Sequence, residues 1–145
     1  MYNHILIPTD GSPLSTVAVE KGLAFARDAG AKVTVLTVVM PFHVISGRSD
    51  QLSSTPAEYE QQSQEAASAY LSEAEMKARS LGVPCEAVLV RHDQPYRAII
   101  DTAKDKGCDL IAMASHGRRG VSAIVLGSET VKVLTHSTIP VLVYR

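Results

Sequence analysis

A segment rich in glycine and small polar residues follows an apolar run in the last third of the chain, and its composition suits phosphate binding. Residues 111–114 are apolar, residues 115–117 read Ser-His-Gly, and nine residues separate Gly117 from Gly127. Glycine lets a loop turn backbone N–H groups toward a ligand, and a helix N-terminus adds unpaired donors and partial positive charge. With a helix beginning at Ser128, this segment is predicted to hold the phosphates of a nucleotide.

Backbone groups supply most of the donors in this predicted phosphate loop. We expect residues 115–117 to direct N–H groups along the phosphates, and residues 128–130 to bind phosphate at the helix N-terminus. Arg118 could neutralise phosphate charge, although a solvated loop arginine is an equally good interpretation. His116 is assigned a positioning role, because no nearby carboxylate is evident that would orient it for catalysis. The predicted site residues of this segment are Met113, Ala114, Ser115, His116, Gly117, Arg118, Gly127, Ser128, Glu129 and Thr130.

A second polar segment, residues 8–12 (Pro-Thr-Asp-Gly-Ser), follows the first apolar run of the chain. Asp10 could accept hydrogen bonds from ribose hydroxyls or help to hold a divalent metal, and the alternative is a turn in which Asp10 binds local backbone. Because Ser12 can already cap the helix that follows, we favour the ligand role for Asp10. Pro8 and Thr9 are predicted to shape the base end of the same site.

Alternating strands and helices must position these two segments. Apolar runs at residues 4–8, 33–39, 85–90, 109–114 and 140–144 predict buried strands, and helices are predicted to begin at residues 13, 57, 95 and 128. Residues 40–56 are predicted to form a loop. The alternation indicates an α/β fold, in which a single domain of residues 1–145 forms a doubly wound five-stranded parallel sheet with helices on both faces.

The order of the strands decides which loops share a crevice. In an open parallel sheet, ligands bind beyond the carboxyl ends of the strands where the strand order reverses. The order 3-2-1-4-5 would place the loop after the first strand beside the glycine-containing loop after the fourth. The order 2-1-3-4-5 would instead pair the first loop with residues 91–93. The chemistry of the loops favours the first order.

Composition narrows the functional classes. The chain has 145 residues, with 14 Lys and Arg against 15 Asp and Glu, so no charge excess favours nucleic acid or an anionic membrane. No apolar run approaches the ~20 residues needed to span a bilayer. Cys85 and Cys108 form no CxxC pair, and the first residues lack the features of a signal peptide. We therefore expect a cytoplasmic protein with reduced thiols.

Taken together, these residues resemble the universal stress protein family along essentially the whole chain. The nucleotide-binding members of that family carry the motif G-x2-G-x9-G-[ST], which Ala114, Gly117, Gly127 and Ser128 match with one exception. The resemblance implies the strand order 3-2-1-4-5 and an adenine nucleotide (ATP, ADP or AMP) as ligand, with Mg²⁺ or Mn²⁺ held at Asp10. It also implies that the backbone at Val38 contacts the adenine edge.

The exception is Ala114, which stands where the family motif has its first glycine. A positive φ at this position would make alanine cost about 1–2 kcal/mol, whereas a negative φ would add only a methyl group. The family resemblance also implies a homodimer, formed through the apolar last strand at residues 140–144. That strand could leave an exposed edge for pairing with a second copy.

The leading functional hypothesis is an adenine-nucleotide-binding stress-response or signalling module. Its alternatives are a slow ATPase and a nucleotide-free dimeric interaction protein of the same fold. No GxxxxGK[ST] is present, residues 117–120 are not GxGxxG, and the SGGxDS loop of ATP pyrophosphatases is absent. A phosphorylation-switch receiver is excluded too, because Asp10 is the only acid after the first strand and residues 91–92 are Arg-His.

Overall fold

The computed structural model describes residues 1–42, 55–117 and 126–145 of the chain. The elements in these ranges alternate between strand and helix, as the sequence predicts. They are β1 His4–Pro8, α1 Pro13–Ala29, β2 Lys32–Val39, α2 Pro56–Ser80, β3 Cys85–Arg91, α3 Pro95–Asp105, β4 Leu110–Ala114, α4 Ser128–His136 and β5 Val141–Tyr144. Their bounds differ from the predicted ones by a residue or two, where terminal hydrogen bonds decide the assignment.

The strands form one parallel sheet in the order β3-β2-β1-β4-β5. This order confirms the arrangement that the loop chemistry favours and excludes the order 2-1-3-4-5. In the register, Ile5 lies opposite both Val33 of β2 and Leu110 of β4. β1 is therefore the central strand, and the strand order reverses between β1 and β4.

Apolar side chains on the two sides of the sheet form two separate core clusters. On the first side, alternate strand residues such as Ile5, Ile7 and Val35 pack against α1 and α2. On the second side, Leu6 and Ile111 pack against α3 and α4. Side chains along a strand alternate between faces, so each central strand supplies both clusters and reads as a continuous apolar run.

The apolar face of α2 agrees with the predicted one only in part. The sequence predicts a thin apolar face made of Tyr59, Ala66, Tyr70, Ala74 and Leu81. Of these Ala74 is buried and the other four are partly exposed, while the remaining buried residues of α2 are Ala67, Leu71 and Ala78. Leu81 packs against the first core cluster while remaining partly exposed. The difference arises because alanine is frequent throughout this helix, so composition leaves the buried face ambiguous.

Hydrogen bonds at the helix starts set where the chain leaves the sheet. The Oγ of Ser12 accepts the Ser15 N–H at 3.3 Å, as predicted for the N-cap of α1. Thr55 and Glu58 form a capping box at the start of α2. Among the described helices, none combines the length and apolarity that a membrane crossing requires.

Candidate functional site

The segments after β1 and β4 leave the sheet side by side. β1 and β4 are hydrogen-bonded neighbours, with Leu6 opposite Ile111. Because parallel strands point their carboxyl ends to the same edge, residues 8–12 and 115–117 face each other there. This juxtaposition is what the order 3-2-1-4-5 predicts for the two segments that are assigned from the sequence to phosphate and ribose.

Asp10 spans the gap between these two segments. Its Oδ1 accepts the N–H of Ser12 at 3.0 Å. Its Oδ2 occupies the position that a β-carbon on Gly117 would need. The carboxylate therefore takes part in the turn that the alternative interpretation predicts, while its second oxygen lies against the predicted phosphate loop. Glycine at position 117 is what allows this approach.

Thr9 is buried in the turn after β1, and Pro8 beside it is partly buried. The Thr9 side chain is buried, and its Oγ1 lies 3.1 Å from the Ser15 hydroxyl of α1. Its backbone N–H donates to the Leu36 carbonyl at 2.8 Å, and the Thr37 hydroxyl donates to its own carbonyl at 3.0 Å. These bonds fix the tip of β1 against β2; the predicted role of Pro8 and Thr9 at the base end of a site remains a prediction.

Ser115 contributes to the loop differently from the prediction. Its backbone N–H donates to the Tyr144 carbonyl of β5 at 2.7 Å, so this group extends the sheet and is not available to phosphate. The expectation that Ser115 offers a backbone donor is therefore wrong. Its Oγ lies 3.1 Å from Nδ1 of His116, which gives the imidazole the orienting partner that the sequence did not reveal.

Gly127 lies against Ser115 and His116, the residues that follow β4. The Gly127 N–H donates to the Ser115 carbonyl at 2.7 Å. A β-carbon on Gly127 would come within 2.8 Å of the His116 Cβ and 2.9 Å of its Cα. A side chain at position 127 would therefore push the start of α4 away from residues 115–117. Glycine is needed here for close backbone approach, because φ is −64° and any residue could adopt it.

The N-terminus of α4 has Gly127 as its N-cap and therefore no side-chain cap. The first helical hydrogen bond runs from the Val131 N–H to the Gly127 carbonyl at 3.0 Å. The N–H groups of residues 128–130 precede this bond and so have no partner within the helix. They lie at the positive end of the helix dipole, next to Gly127 and the His116 backbone that it touches.

The side chains of this first turn are turned toward the protein. The Thr130 hydroxyl is buried and donates to the Ala114 carbonyl at 3.0 Å. Oε1 of Glu129 accepts the Tyr96 N–H at 3.0 Å, and Oε2 lies 3.3 Å from Nζ of Lys132. Glu129 therefore caps α3, whose own N-cap residue, Gln94, makes no side-chain capping bond. This cap between two helices was not predicted from the sequence. The only sign of it in the sequence is that the N-cap residue of α3 is Gln94, a residue type that rarely caps a helix.

Ala114, the departure from the family motif, lies in β4 with a negative φ, because no described non-glycine residue has a positive φ. The methyl group therefore adds no backbone strain. The Met113 side chain packs in the second core cluster, so its contribution to a site would be shape alone. Arg118, predicted to approach phosphate, lies outside the described residues.

The backbone of Val38 faces the same crevice. The Leu36 carbonyl bonds the Thr9 N–H on the β1 side, and the Val39 carbonyl bonds the His92 N–H on the β3 side. Because successive residues in a strand alternate, the N–H and C=O of Val38 point to the β1 side. The last β1 residue opposite β2 pairs with Leu36, so Val38 lies beyond the end of β1.

Among the described residues, neither a metal-binding group of side chains nor a reactive thiol is present. The described residues contain no cluster of three side chains from His, Cys, Asp and Glu that could hold a metal by themselves. Burial raises the pKa of Cys85 and of Cys108 to about 11, which keeps both thiols protonated and unreactive at neutral pH. The Asp10 carboxylate lies at this end of the crevice, between Ser12 and Gly117.

A model of the universal stress protein family matches residues 1–145. The universal stress protein YxiE of Bacillus subtilis is 30% identical over 149 aligned residues, which cover 100% of both chains. The universal stress protein MJ0577 of Methanocaldococcus jannaschii is 27% identical over 156 aligned residues, covering 100% of this chain and 96% of the relative.

Solved structures show the same likeness. The structure of MJ0577 superposes with a TM-score of 0.82 at 29% identity, covering 99% of this chain and 95% of that one. The crystal structure of a universal stress protein in complex with cAMP superposes with a TM-score of 0.74 at 24% identity, covering 99% and 97% of the two chains. The second likeness concerns the fold.

Proposed function

Because the chain belongs to the universal stress protein family, we propose that it binds an adenine nucleotide at the carboxyl edge of its sheet. In this proposal the nucleotide is ATP, ADP or AMP, and the protein acts as a stress-response or signalling module in the cytoplasm. The observation that carries the proposal is the approach of Asp10 to Gly117, between the tips of β1 and β4. A family member of similar fold is described in complex with cAMP, which supports an adenine nucleotide as ligand.

The phosphates are assigned to the start of α4. The N–H groups of residues 128–130 have no acceptor within the helix, and the helix dipole adds partial positive charge. His116 lies next to this helix start, because Gly127 packs directly against it. In the proposal the N–H groups of His116 and Gly117 are further phosphate donors. The corrected set of phosphate donors therefore omits the N–H of Ser115.

The base is assigned to Val38. One N–H donor and one C=O acceptor on the same side of the strand complement the N1 acceptor and the N6 amino donor of adenine. Guanine presents an N1–H donor and an O6 acceptor at these positions, so each would meet a group of its own kind. A site that leaves buried polar groups unpaired with the wrong ligand discriminates strongly against it.

The metal role of Asp10 depends on the nucleotide. Mg²⁺ is bound in proteins by one or two carboxylates together with phosphate oxygens and water. The described residues contain no ready-made group of three metal ligands, so Asp10 fits a Mg²⁺ or Mn²⁺ ion that arrives with the phosphates. Hydrolysis is expected to be slow at most, because the His116 imidazole is paired with a serine hydroxyl and not with a carboxylate.

We also propose a homodimer formed through β5. The strand Val141–Tyr144 pairs with β4 on one side, at the end of the strand order. Val131 and Leu134 of the adjoining α4 are 45% and 42% exposed, which places apolar surface on an outer helix. A second copy pairing along β5 would cover the strand edge in a two-fold arrangement.

The nucleotide content of the purified protein tests the proposed function. Protein purified without added nucleotide would be denatured by heat, and the supernatant would be separated by anion-exchange chromatography. Calorimetric titration of the emptied protein with ATP and with GTP, each with Mg²⁺, would follow. We expect an adenine nucleotide in the supernatant and tighter binding of ATP than of GTP. An empty protein that gives no binding heat with millimolar ATP would leave the nucleotide-free interaction protein as the better interpretation.

A further inference from the structure

Helix α2 contacts the chain just beyond β1 and just beyond β2 through two tyrosines. Tyr59 and Tyr70 are eleven residues apart, which is about three turns, so they lie on one face of the helix. The ring of Tyr70 covers Gly11, where it fills the space that a β-carbon would occupy. Gly11 has a φ of 77°, a conformation that favours glycine. Tyr70 therefore packs on the turn that carries Asp10.

Tyr59 makes the second contact, and it is a directed one. Its hydroxyl donates to the Met40 carbonyl at 2.7 Å, from a partly buried position nineteen residues away in sequence. The Tyr59 ring also packs against the Phe42 ring, with centroids 5.6 Å apart. Burial raises the pKa of Tyr59, although the Arg91 charge opposes this, so the hydroxyl keeps its proton and remains a donor at neutral pH.

The segment that Tyr59 contacts continues β2 beyond Val38, the residue whose backbone is proposed to bind the base. Past the bond from the His92 N–H to the Val39 carbonyl, the chain leaves the sheet. Met40 is the next residue, only two positions after Val38. An anchor at the Met40 carbonyl therefore limits how far the peptide units on either side of Val39 can rotate.

We infer that Tyr59 is a specificity-determining positioning residue, whose hydroxyl bond to Met40 aligns the N–H and C=O of Val38 for adenine. The inference rests on the proposed function, since it concerns the base end of the same site. Two hydrogen bonds to a base edge are sensitive to direction, so a supporting contact sets how well they form. The proposed phosphate donors lie at the start of α4 and at residues 116 and 117, and this contact does not link them to Tyr59. Loss of the hydroxyl should therefore affect base selectivity separately from phosphate binding.

The test is Tyr59→Phe, which removes the hydroxyl and keeps the ring beside Phe42. Tyr2→Phe is the matched control, because Tyr2 precedes β1 at the opposite edge of the sheet, where its ring lies 6.2 Å from Phe25. Each full-length variant would be titrated calorimetrically with ATP, GTP and inorganic triphosphate. We expect Tyr59→Phe to weaken ATP binding about five- to tenfold, with GTP and triphosphate unchanged, and Tyr2→Phe to have no effect.

Amide hydrogen exchange of residues 36–42 gives a second measurement, and it should be faster in Tyr59→Phe than in the unaltered protein. An unchanged ratio of ATP to GTP affinity would overturn the inference, as would unchanged exchange. An equal loss for all three ligands would show a general structural role and would overturn it as well. If the unaltered protein binds ATP, GTP and triphosphate equally, the assignment of the base to Val38 fails. If it binds none of the three, the proposed function itself fails.

Discussion

The carboxylate of Asp10 fills the space that a β-carbon on Gly117 would need, so these two residues meet between the ends of β1 and β4. This contact joins the turn that begins α1 to the loop that leads toward α4. Glycine is needed for two different reasons in this protein. Gly117 is crowded by a neighbouring side chain, whereas Gly82 has a φ of 70° and open space around it.

Gly117→Ala should weaken nucleotide binding with little effect on stability. The added methyl group would displace the Asp10 carboxylate, while the backbone at position 117 does not require a positive φ. We expect ATP affinity to fall about tenfold or more, corresponding to ~1.4 kcal/mol or more. Calorimetric titration gives the affinity, and thermal unfolding should show a midpoint close to that of the unaltered protein.

Gly82→Ala is the matched control for that substitution. It places alanine in the left-handed region at the end of α2, which should cost about 1–2 kcal/mol of folding free energy. ATP affinity should not change, because Gly82 lies between α2 and β3 at the opposite edge of the sheet. Normal ATP binding by Gly117→Ala would contradict the assignment of residues 115–117 to the phosphate site.

Asp10→Asn should separate the ligand role of Asp10 from its role in the turn. Asparagine keeps an Oδ1 that can accept the Ser12 N–H, and it loses the negative charge. We expect the unfolding free energy to change little, while the gain in ATP affinity on adding Mg²⁺ disappears. Asp10→Ala should lose both, including about 1 kcal/mol of stability from the missing hydrogen bond. Full Mg²⁺ enhancement in Asp10→Asn would leave only the turn role.

Glu129→Ala should destabilise the protein without abolishing nucleotide binding. The Glu129 carboxylate caps α3 by accepting the Tyr96 N–H, and loss of a helix cap costs about 0.5–2 kcal/mol. Glu129→Gln keeps an acceptor and should lose less. Urea unfolding measures both variants, and ATP titration should find the affinity largely retained, since the Glu129 backbone N–H remains. Equal unfolding free energies for all three proteins would show that this cap adds no stability.

The stability of the fold should decrease as the pH falls below about 6.5, through His4. Burial, then the Lys32 charge, lowers the pKa of His4 below its ordinary value of 6.5, and the carboxylates of Glu86 and Asp109 and a backbone hydrogen bond at Lys106 oppose this. The unfolded chain therefore binds the proton more readily than the native protein. The contribution of neutral His4 to stability is present above pH 6.5 and is lost as the pH drops from there through the native pKa.

His4→Gln measures this contribution, because glutamine can still bond the Thr34 hydroxyl that lies 2.7 Å from Nε2 of His4. Urea unfolding at pH 7.5, 6.5 and 5.5 should give a smaller decrease for the variant than for the unaltered protein. Parallel curves for the two proteins would mean that His4 does not cause the pH dependence.

Val143→Pro should prevent dimerisation through β5. The Pro140 carbonyl accepts the Ile111 N–H of β4 and the Tyr144 carbonyl accepts the Ser115 N–H just after it, so by alternation the N–H of Val143 points to the free edge of the strand. Proline removes this donor and leaves the β4 hydrogen bonds in place. We expect sedimentation to give twice the chain mass for the unaltered protein and the single mass for the variant. A monomeric unaltered protein at micromolar concentration would contradict the dimer proposal.

Much of the fold could be predicted because each strand of the central sheet is buried on both faces. Runs such as residues 4–8 are continuously apolar, and the segments between them have helical spacing, so a parallel sheet covered on both sides was the consistent solution. The buried face of α2 was predicted only in part, at Ala74, because Ala66 and Ala67 are chemically identical and only packing distinguishes them.

The sequence predicted which two segments meet beyond the ends of β1 and β4, but not the hydrogen bonds that they make there. The sequence indicated the two loops and the glycines, since residue type constrains backbone freedom and charge locally. It did not indicate that the Ser115 N–H bonds Tyr144, that Glu129 caps α3, or that Tyr59 anchors Met40. Each of these bonds joins residues on different elements, so its existence depends on how the elements pack.

The amino-acid sequence by itself determined the α/β class, the positions of the elements and the two loops proposed to bind a nucleotide, because propensity, periodicity and glycine act through neighbours in the chain. Tertiary structure alone decided which backbone donors stay available, which carboxylate oxygen faces Gly117 and which helix supports the strand ends. Hydrogen bonds are short-ranged and directional, so these choices are made only when distant residues are brought within about 3 Å of one another.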